Sequence, residues 1–169
     1  MNKVGVIDLT KSKYVFVSDA SYPKDCVLSQ AIPIVSGKYN AFVMEEEIQT
    51  WGKLVTNLAI LHEDYDDATF DEECEYYGEV YVDSGTMGIC DYEYYCKHHD
   101  TKNKKVVTKN NKWYEKHVVN LCQYAICDKK GIVSLSGFGD GQYGVYVHRN
   151  TNDEIIGIKV VFIENDENI

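Results

Sequence analysis

The stretch Trp51-Gly-Lys-Leu-Val-Thr-Asn-Leu-Ala-Ile-Leu-His62 decides the fold class of this chain. The spacing of Leu54, Leu58 and Leu61 would also fit one face of a helix. The β-branched and apolar residues of the stretch, however, match a pattern of period two that runs through most of the chain, and this period is typical of strands. We therefore predict a β-strand over residues 51–62 in a mainly β protein.

Short apolar runs on both sides of this stretch predict further strands. They are residues 4–9, 14–19, 31–35, 39–44, 80–89, 118–127, 131–135, 143–148 and 155–163. The runs 31–35 and 39–44 are predicted to form a hairpin, and a helical turn is predicted to open at Asp91, which is a favoured N-cap residue. The pattern predicts one domain over residues 1–169, a β-sandwich or barrel-like fold of about nine or ten short strands with minor helical turns.

The charge of the chain is unevenly distributed. The formal net charge is −10, and residues 41–100 hold 16 acidic residues against two lysines. Residues 101–130, in contrast, hold eight lysines against two acidic residues. A strongly negative field repels nucleic acid and attracts basic partners, so direct binding of DNA or RNA through the central block is excluded.

Tyrosines are interleaved with these acidic residues, and the chain has 14 Tyr against 5 Phe. Carboxylates can present charge as phosphates do, and tyrosines can supply anchors. We predict a non-enzymatic interaction protein that inhibits a basic, nucleic-acid-binding protein through this surface; the alternative is a face that only keeps the protein soluble. The predicted partner-binding residues are Glu45, Glu46, Glu47, Glu63, Asp64, Tyr65, Asp66, Asp67, Asp71, Glu72, Glu73, Glu75, Tyr76 and Tyr77.

Two motifs that combine Asp with Gly predict an alternative, a small-molecule or divalent-metal site. They are Asp83-Ser-Gly85 and Gly139-Asp-Gly141, and paired carboxylates on adjacent turns could hold a hard cation or act as acid and base. The residues of this alternative ligand site are Asp83, Ser84, Asp91, Ser136, Asp140 and Tyr143. Alternatively, the glycines only supply positive φ and each Asp bonds its own turn, which would leave a structural or accessory module.

Other chemistries find no support in the sequence. Cys90, Cys96, His98 and His99 lie close together, but zinc would require paired Cys-x-x-Cys spacings, so we predict no metal. The string Ser134-Leu-Ser-Gly137 lacks the first glycine of a nucleophile elbow, and no phosphate-binding loop is present. We predict no catalytic residue and no cofactor.

The sequence also predicts where the protein resides. No apolar run reaches the roughly 20 residues that span a bilayer, and Asp8 and Lys11 interrupt any signal-peptide core. We therefore expect a cytoplasmic protein whose six cysteines are reduced. Residues 97–117, rich in Lys and Asn, are predicted to be a flexible or protruding insert, and residues 164–169 a frayed acidic tail.

Several of these motifs, in their order along the chain, resemble one family. They are Tyr14-Val-Phe-Val-Ser-Asp19, Ile34-Val-Ser-Gly-Lys-Tyr39, Trp51 to Glu63, Val82-Asp-Ser-Gly-Thr-Met-Gly-Ile89, Ser134-Leu-Ser-Gly-Phe-Gly-Asp-Gly-Gln-Tyr143 and the closing segment Val145 to Ile163. The family is domain of unknown function 4241, whose members occur in bacteria and phages. One departure is Asp19-Ala20, where such proteins often have Asp-Pro. The resemblance implies no activity.

Overall fold

The computed structural model describes residues 1–65, 68, 70, 72–99 and 112–164. Within them the strands are β1 (Asn2–Asp8), β2 (Tyr14–Asp19), β3 (Gln30–Pro33), β4 (Lys38–Ile48), β5 (Gly52–His62), β6 (Glu75–Val82), β7 (Thr86–Asp91), β8 (Tyr124–Cys127), β9 (Gly131–Leu135), β10 (Gly141–Arg149) and β11 (Ile155–Val161). They form two antiparallel sheets, of order β1-β4-β5-β11-β10-β6 and β3-β2-β7-β9-β8. The predicted mainly β fold is confirmed, as a sandwich and not a closed barrel.

The strand β5 is buried on both faces, which explains why the sequence of residues 51–62 also fits a helix. It lies inside the six-stranded sheet, between β4 and β11. Leu58 and Ile60 point into the core between the sheets, whereas Ala59 and Leu61 lie under Phe70 on the outer face. A strand that is buried on both faces has a nearly continuous apolar sequence, which hides the alternation of period two.

The outer face of the five-stranded sheet carries the helical elements. These are α1 (Tyr92–His98) and α2 (Lys112–Tyr114), the latter continued by a π-helical turn over Glu115–Val119. Tyr95 and Trp113 from these elements pack on Phe16, Cys90 and Val133 of the sheet. No helix of the described residues is both long and apolar enough to cross a membrane.

Three strand predictions are corrected by the structure. The runs 31–35 and 39–44 do not form a hairpin, since β3 pairs with β2 and β4 pairs with β1 and β5, so the chain crosses between the sheets. Residues 80–89 span the end of β6 and most of β7, because Gly85 at φ +71° turns the chain. Residues 118–127 form a strand only from Tyr124, because Val118 and Val119 end the helical segment that buries Trp113 and His117, and residues 120–123 form the turn that follows it.

The predicted insert over 97–117 begins in α1 and ends in the buried helical segment that holds Trp113. Its central part, residues 100–111, lies outside the described residues, as do residues 165–169 of the predicted tail. For those two segments, the expectation of a protruding insert and of a frayed end stays a prediction.

Candidate functional site

A buried carboxylate lies where the two predicted turns meet. Asp19 ends β2 and has no exposed surface. Its Oδ1 accepts hydrogen bonds from the Ser21 backbone N (2.8 Å) and the Ser84 hydroxyl (2.6 Å). Its Oδ2 accepts from the backbone N atoms of Asp83 and Ser84, both at 2.8 Å. Four donors around one carboxylate fix the turn at residues 83–85 against the end of β2.

The turn at residues 83–85 also contacts the turn at residues 136–139, which precedes β10. The Ser136 backbone N donates to the Gly85 carbonyl at 3.0 Å, and a Cβ on Gly85 would lie 3.8 Å from the Gly139 Cα. The Ser136 hydroxyl donates to the Gly139 carbonyl at 2.9 Å. The Tyr143 hydroxyl lies 2.6 Å from the same oxygen. We call Asp19, residues 83–85 and residues 136–139 the latch, because these contacts tie β2, β7, β9 and β10 together.

The structure brings together most of the predicted ligand-site residues. Asp83, Ser84, Ser136 and Tyr143 are in the latch or bonded to it, and Asp140 follows it directly. Asp91 is the exception, because it lies at the opposite end of β7, where its carboxylate accepts from the Tyr94 backbone N at 2.7 Å and caps α1. The expectation that Asp91 joins this site is wrong.

The polar groups of the latch bond to one another. The Ser84 hydroxyl lies 2.7 Å from the Thr86 hydroxyl besides its bond to Asp19, and Tyr22 donates to the Asp83 carboxylate. The bond to Asp83, with burial, raises the pKa of Tyr22 to about 12. No group of three or more His, Cys, Asp or Glu in the described part of the chain is arranged to hold a metal ion. The arrangement therefore favours a structural role of these turns over a ligand site.

The predicted acidic surface is divided between the two ends of the six-stranded sheet. Glu45, Glu46 and Glu47 lie near the tip of the β4–β5 hairpin, where Ile48 pairs with Gly52. The other described residues lie at the opposite end, where Tyr39 pairs with His62 and β6 begins. Those residues are Glu63, Asp64, Tyr65, Glu72, Glu73, Glu75, Tyr76 and Tyr77, and the predicted Asp66, Asp67 and Asp71 lie outside the described residues.

We call the exposed carboxylates of this opposite end, Glu63, Asp64, Glu72, Glu73 and Glu75, the acidic end. The Arg149 Nε lies 2.6 Å from a Glu75 oxygen, and the His148 Nε2 lies 3.2 Å from a Glu73 oxygen. A cleft of about 440 Å³ opens here and is lined by Tyr65, Glu73, His148 and Arg149 among others. The acidic end therefore combines exposed negative charge with a concave surface.

Not every predicted partner-binding residue is fully available at the surface. Tyr76 is 60% exposed and packs edge to face on Tyr146, with ring centroids 5.8 Å apart. Tyr77, in contrast, is partly buried against the core. The Glu45 side chain is only 14% exposed and accepts from Lys53 at 2.8 Å. The exposed residues of the predicted surface are thus mostly those of the acidic end together with Tyr65 and Tyr76, and Glu47 is exposed at the other end of the sheet.

A buried pair of thiols lies on the other sheet. Cys90 and Cys127 both pair with Gly131, one from each neighbouring strand, and neither has exposed surface. A hydrogen bond between the two thiols raises the pKa of Cys90 and lowers that of Cys127, and a hydrogen bond with His117 adds to the second effect. The pair is covered by the helical segment that buries Trp113 and His117.

This burial predicts the order in which the cysteines react. Cys122 is exposed, whereas Cys90 and Cys127 are buried. We expect alkylation of Cys127 by iodoacetamide in the folded protein to be at least about 100-fold slower than that of Cys122, because a reagent reaches it only through local opening. Mass spectrometry of the labelled peptides measures both rates. Equal rates would show that the helical cover opens readily.

Comparison with known proteins identifies the family of the chain. No curated protein and no solved structure matches it. A family model described as a protein of unknown function (DUF4241) matches residues 45–160. The match includes the motifs Asp83-Ser-Gly85 and Gly137-Phe-Gly-Asp-Gly141, which form or follow the latch. The resemblance predicted from the sequence is confirmed: the chain belongs to the DUF4241 family.

Proposed function

We propose that this protein is a non-enzymatic binding protein that engages a basic, nucleic-acid-binding protein of the cytoplasm and inhibits it. Carboxylates and tyrosines would occupy the surface that otherwise receives phosphates and bases. The most specific form of the proposal is a phage-encoded inhibitor of a defence nuclease of the CRISPR type.

The observation that carries the proposal is the exposure of the carboxylates at the acidic end. The side chains of Asp64, Glu73 and Glu75 are 79%, 54% and 59% exposed. They lie close to the ends of β5, β6 and β10, so the sheet limits how far they can move apart. Negative charge that is held on a rigid support steers a positively charged partner and fixes its orientation.

Removing this charge without changing shape tests the proposal. The triple variant Glu63→Gln, Glu72→Gln, Glu73→Gln is compared with the unchanged protein as bait in a bacterial lysate. We expect the unchanged protein to retain a nucleic-acid-binding protein in stoichiometric amount, and the variant to retain at least about tenfold less. The retained protein should elute as salt rises above about 0.15 M and should be released by added duplex DNA or by RNA.

A matched control removes the same number of charges elsewhere. The variant Asp25→Asn, Glu93→Gln, Glu115→Gln changes exposed carboxylates that lie outside the acidic end. It should retain the partner as well as the unchanged protein does. If both variants lose the partner equally, net charge and not this surface is responsible. If no basic protein is retained at all, the acidic end serves only solvation.

A further inference from the structure

Two large aromatic side chains are exposed and in contact at the end of the sandwich opposite the acidic end. Trp51 is 65% exposed and Phe138 is 53% exposed. Their ring centroids lie 5.4 Å apart with an interplanar angle of 70°, an edge-to-face arrangement. We call these two residues the aromatic pair. Because the two rings are in contact, they form one contiguous apolar patch, and contiguous exposed patches, unlike single exposed side chains, mark binding sites.

The latch holds Phe138 in place. Phe138 lies between Gly137 at φ +57° and Gly139 at φ +109°, and the Gly139 backbone N donates to the Ser136 carbonyl at 2.8 Å. A Cβ on Gly137 would lie 3.0 Å from the Phe162 Cβ, so the turn is packed closely against β11 and its extension. The ring therefore points outward from a rigid turn, and little conformational entropy is lost when a partner binds it.

Trp51 is presented in a similar way by the β4–β5 hairpin. It ends the 3-10 turn Gln49–Trp51, and Gly52 follows at φ +74°. Both strands of the hairpin are paired up to this turn, with Ile48 opposite Gly52. Trp51 is thus carried by the turn of a hairpin and Phe138 by the turn that connects the two sheets, and both turns are fixed by the strands that flank them.

The charges near the aromatic pair are mostly negative. Glu47 is exposed on β4, opposite Lys53, and Asp140 is exposed two residues after Phe138. Lys53 itself is held by Glu45 at 2.8 Å. A guanidinium group can stack on an indole face while its N–H groups donate to a carboxylate, and Trp gives the strongest such contact of the aromatic residues. The surroundings of the pair therefore favour arginine.

We propose that the aromatic pair is the docking site for an arginine side chain of the basic partner. This inference rests on the proposed function and adds a second contact to it, at the end of the molecule that lies away from the acidic end. The partner then spans both ends, with charge steering its approach and the aromatic pair fixing its register.

A nuclear magnetic resonance titration tests this proposal, because the chain has two tryptophans and so two indole N–H signals. Trp113 is buried, and its Nε1 donates to the Tyr94 hydroxyl at 2.7 Å, so its signal is the internal reference. The variant Trp51→Phe assigns the two signals. The probe is a short peptide of alternating arginine and glycine at about 0.15 M salt.

We expect the Trp51 signal to shift and saturate while the Trp113 signal stays. The variant Phe138→Ala should weaken binding at Trp51 at least about fivefold, and a lysine peptide should bind more weakly than the arginine peptide. The variant Val119→Ala, at a side chain that is 61% exposed elsewhere, should leave binding unchanged. If Phe138→Ala perturbs the backbone spectrum, Phe138→Leu replaces it, since leucine keeps the apolar volume without the ring.

The possible failures separate this inference from the proposed function. If the peptide shifts signals at the acidic end but leaves Trp51 unchanged, the docking site is wrong and the proposed function stands. If Trp51 shifts equally with the lysine and arginine peptides and Phe138→Leu has no effect, the contact is only electrostatic and the inference is overturned. If no signal shifts with either peptide, both proposals lose their basis.

Discussion

Replacing Asp19 with alanine is expected to lower the free energy of unfolding by about 4 kcal/mol. The fully buried carboxylate accepts from the backbone N atoms of Ser21, Asp83 and Ser84 and from the Ser84 hydroxyl. Alanine would leave these four donors without their acceptor, and each donor left unsatisfied in a buried position costs about 1–3 kcal/mol. The Ser21 donor is buried, whereas Asp83 and Ser84 lie at the surface. The loss is partly offset where the turn relaxes and water enters, so we expect less than the sum.

Urea unfolding followed by circular dichroism measures this loss. The control is Asp83→Asn, since the Asp83 carboxylate is exposed and accepts from Tyr22 at the surface, and its loss should cost below about 1 kcal/mol. Asp19→Asn should fall between the two, because the amide keeps one acceptor oxygen and turns an NH₂ group towards backbone donors. A loss below 1 kcal/mol for Asp19→Ala would contradict the role of the latch.

The latch connects this stability prediction to the proposed docking site. Its residues order the turn at 136–139, and that turn carries Phe138. A moderately destabilised variant such as Asp19→Asn should therefore loosen the aromatic pair even where the protein stays folded. The Ser84 and Ser136 hydroxyls of these motifs bond within the protein. What the two turns present to solvent is the Phe138 ring and the carboxylates of Asp83 and Asp140.

The sequence predicted the strands well where one physical signal dominated. The run 14–19 matches β2, and 131–135 matches β9, because β-branched residues and flanking turns agree there. It failed where tertiary packing decides the outcome. Val118 fits a strand by composition, but the segment is helical because Trp113 and His117 must reach the sheet beneath them. The sheet change between β3 and β4 depends on long-range pairing, which composition does not encode.

The residues of the two motifs in the candidate site were predicted from the sequence, but the buried carboxylate of Asp19 was not. The sequence predicted that the two Asp-Gly turns could form one site, whereas Asp19 was not recognised as the acceptor that fixes the turn at residues 83–85. A single acidic residue at the end of the buried run Val15–Val17 is the signal that could have found it. The exposure of Phe138 could also have been predicted, because a large apolar side chain between two glycines of a tight turn cannot easily reach the core.

Replacing Gly131 with alanine is expected to cost at least about 3 kcal/mol, because β9 has no room for a side chain between the two thiols. A Cβ at this position would lie 2.4 Å from the Cys90 Sγ and 2.7 Å from the Cys90 Cα. The Sγ atom could rotate away, but the Cα is backbone, so β7 and β9 would have to separate.

Gly88 of β7 is the matched control for this prediction. A Cβ there would meet only ordinary contacts, the nearest at 3.6 Å from a Val133 methyl carbon, so Gly88→Ala should change the free energy of unfolding by less than about 1 kcal/mol. The double variant Gly131→Ala, Cys90→Ala should regain less than half of the loss, since the Cys90 Cα remains in the way. Full recovery would place the conflict in the thiol alone, and an equal cost for the two single variants would contradict the close approach of β7 and β9.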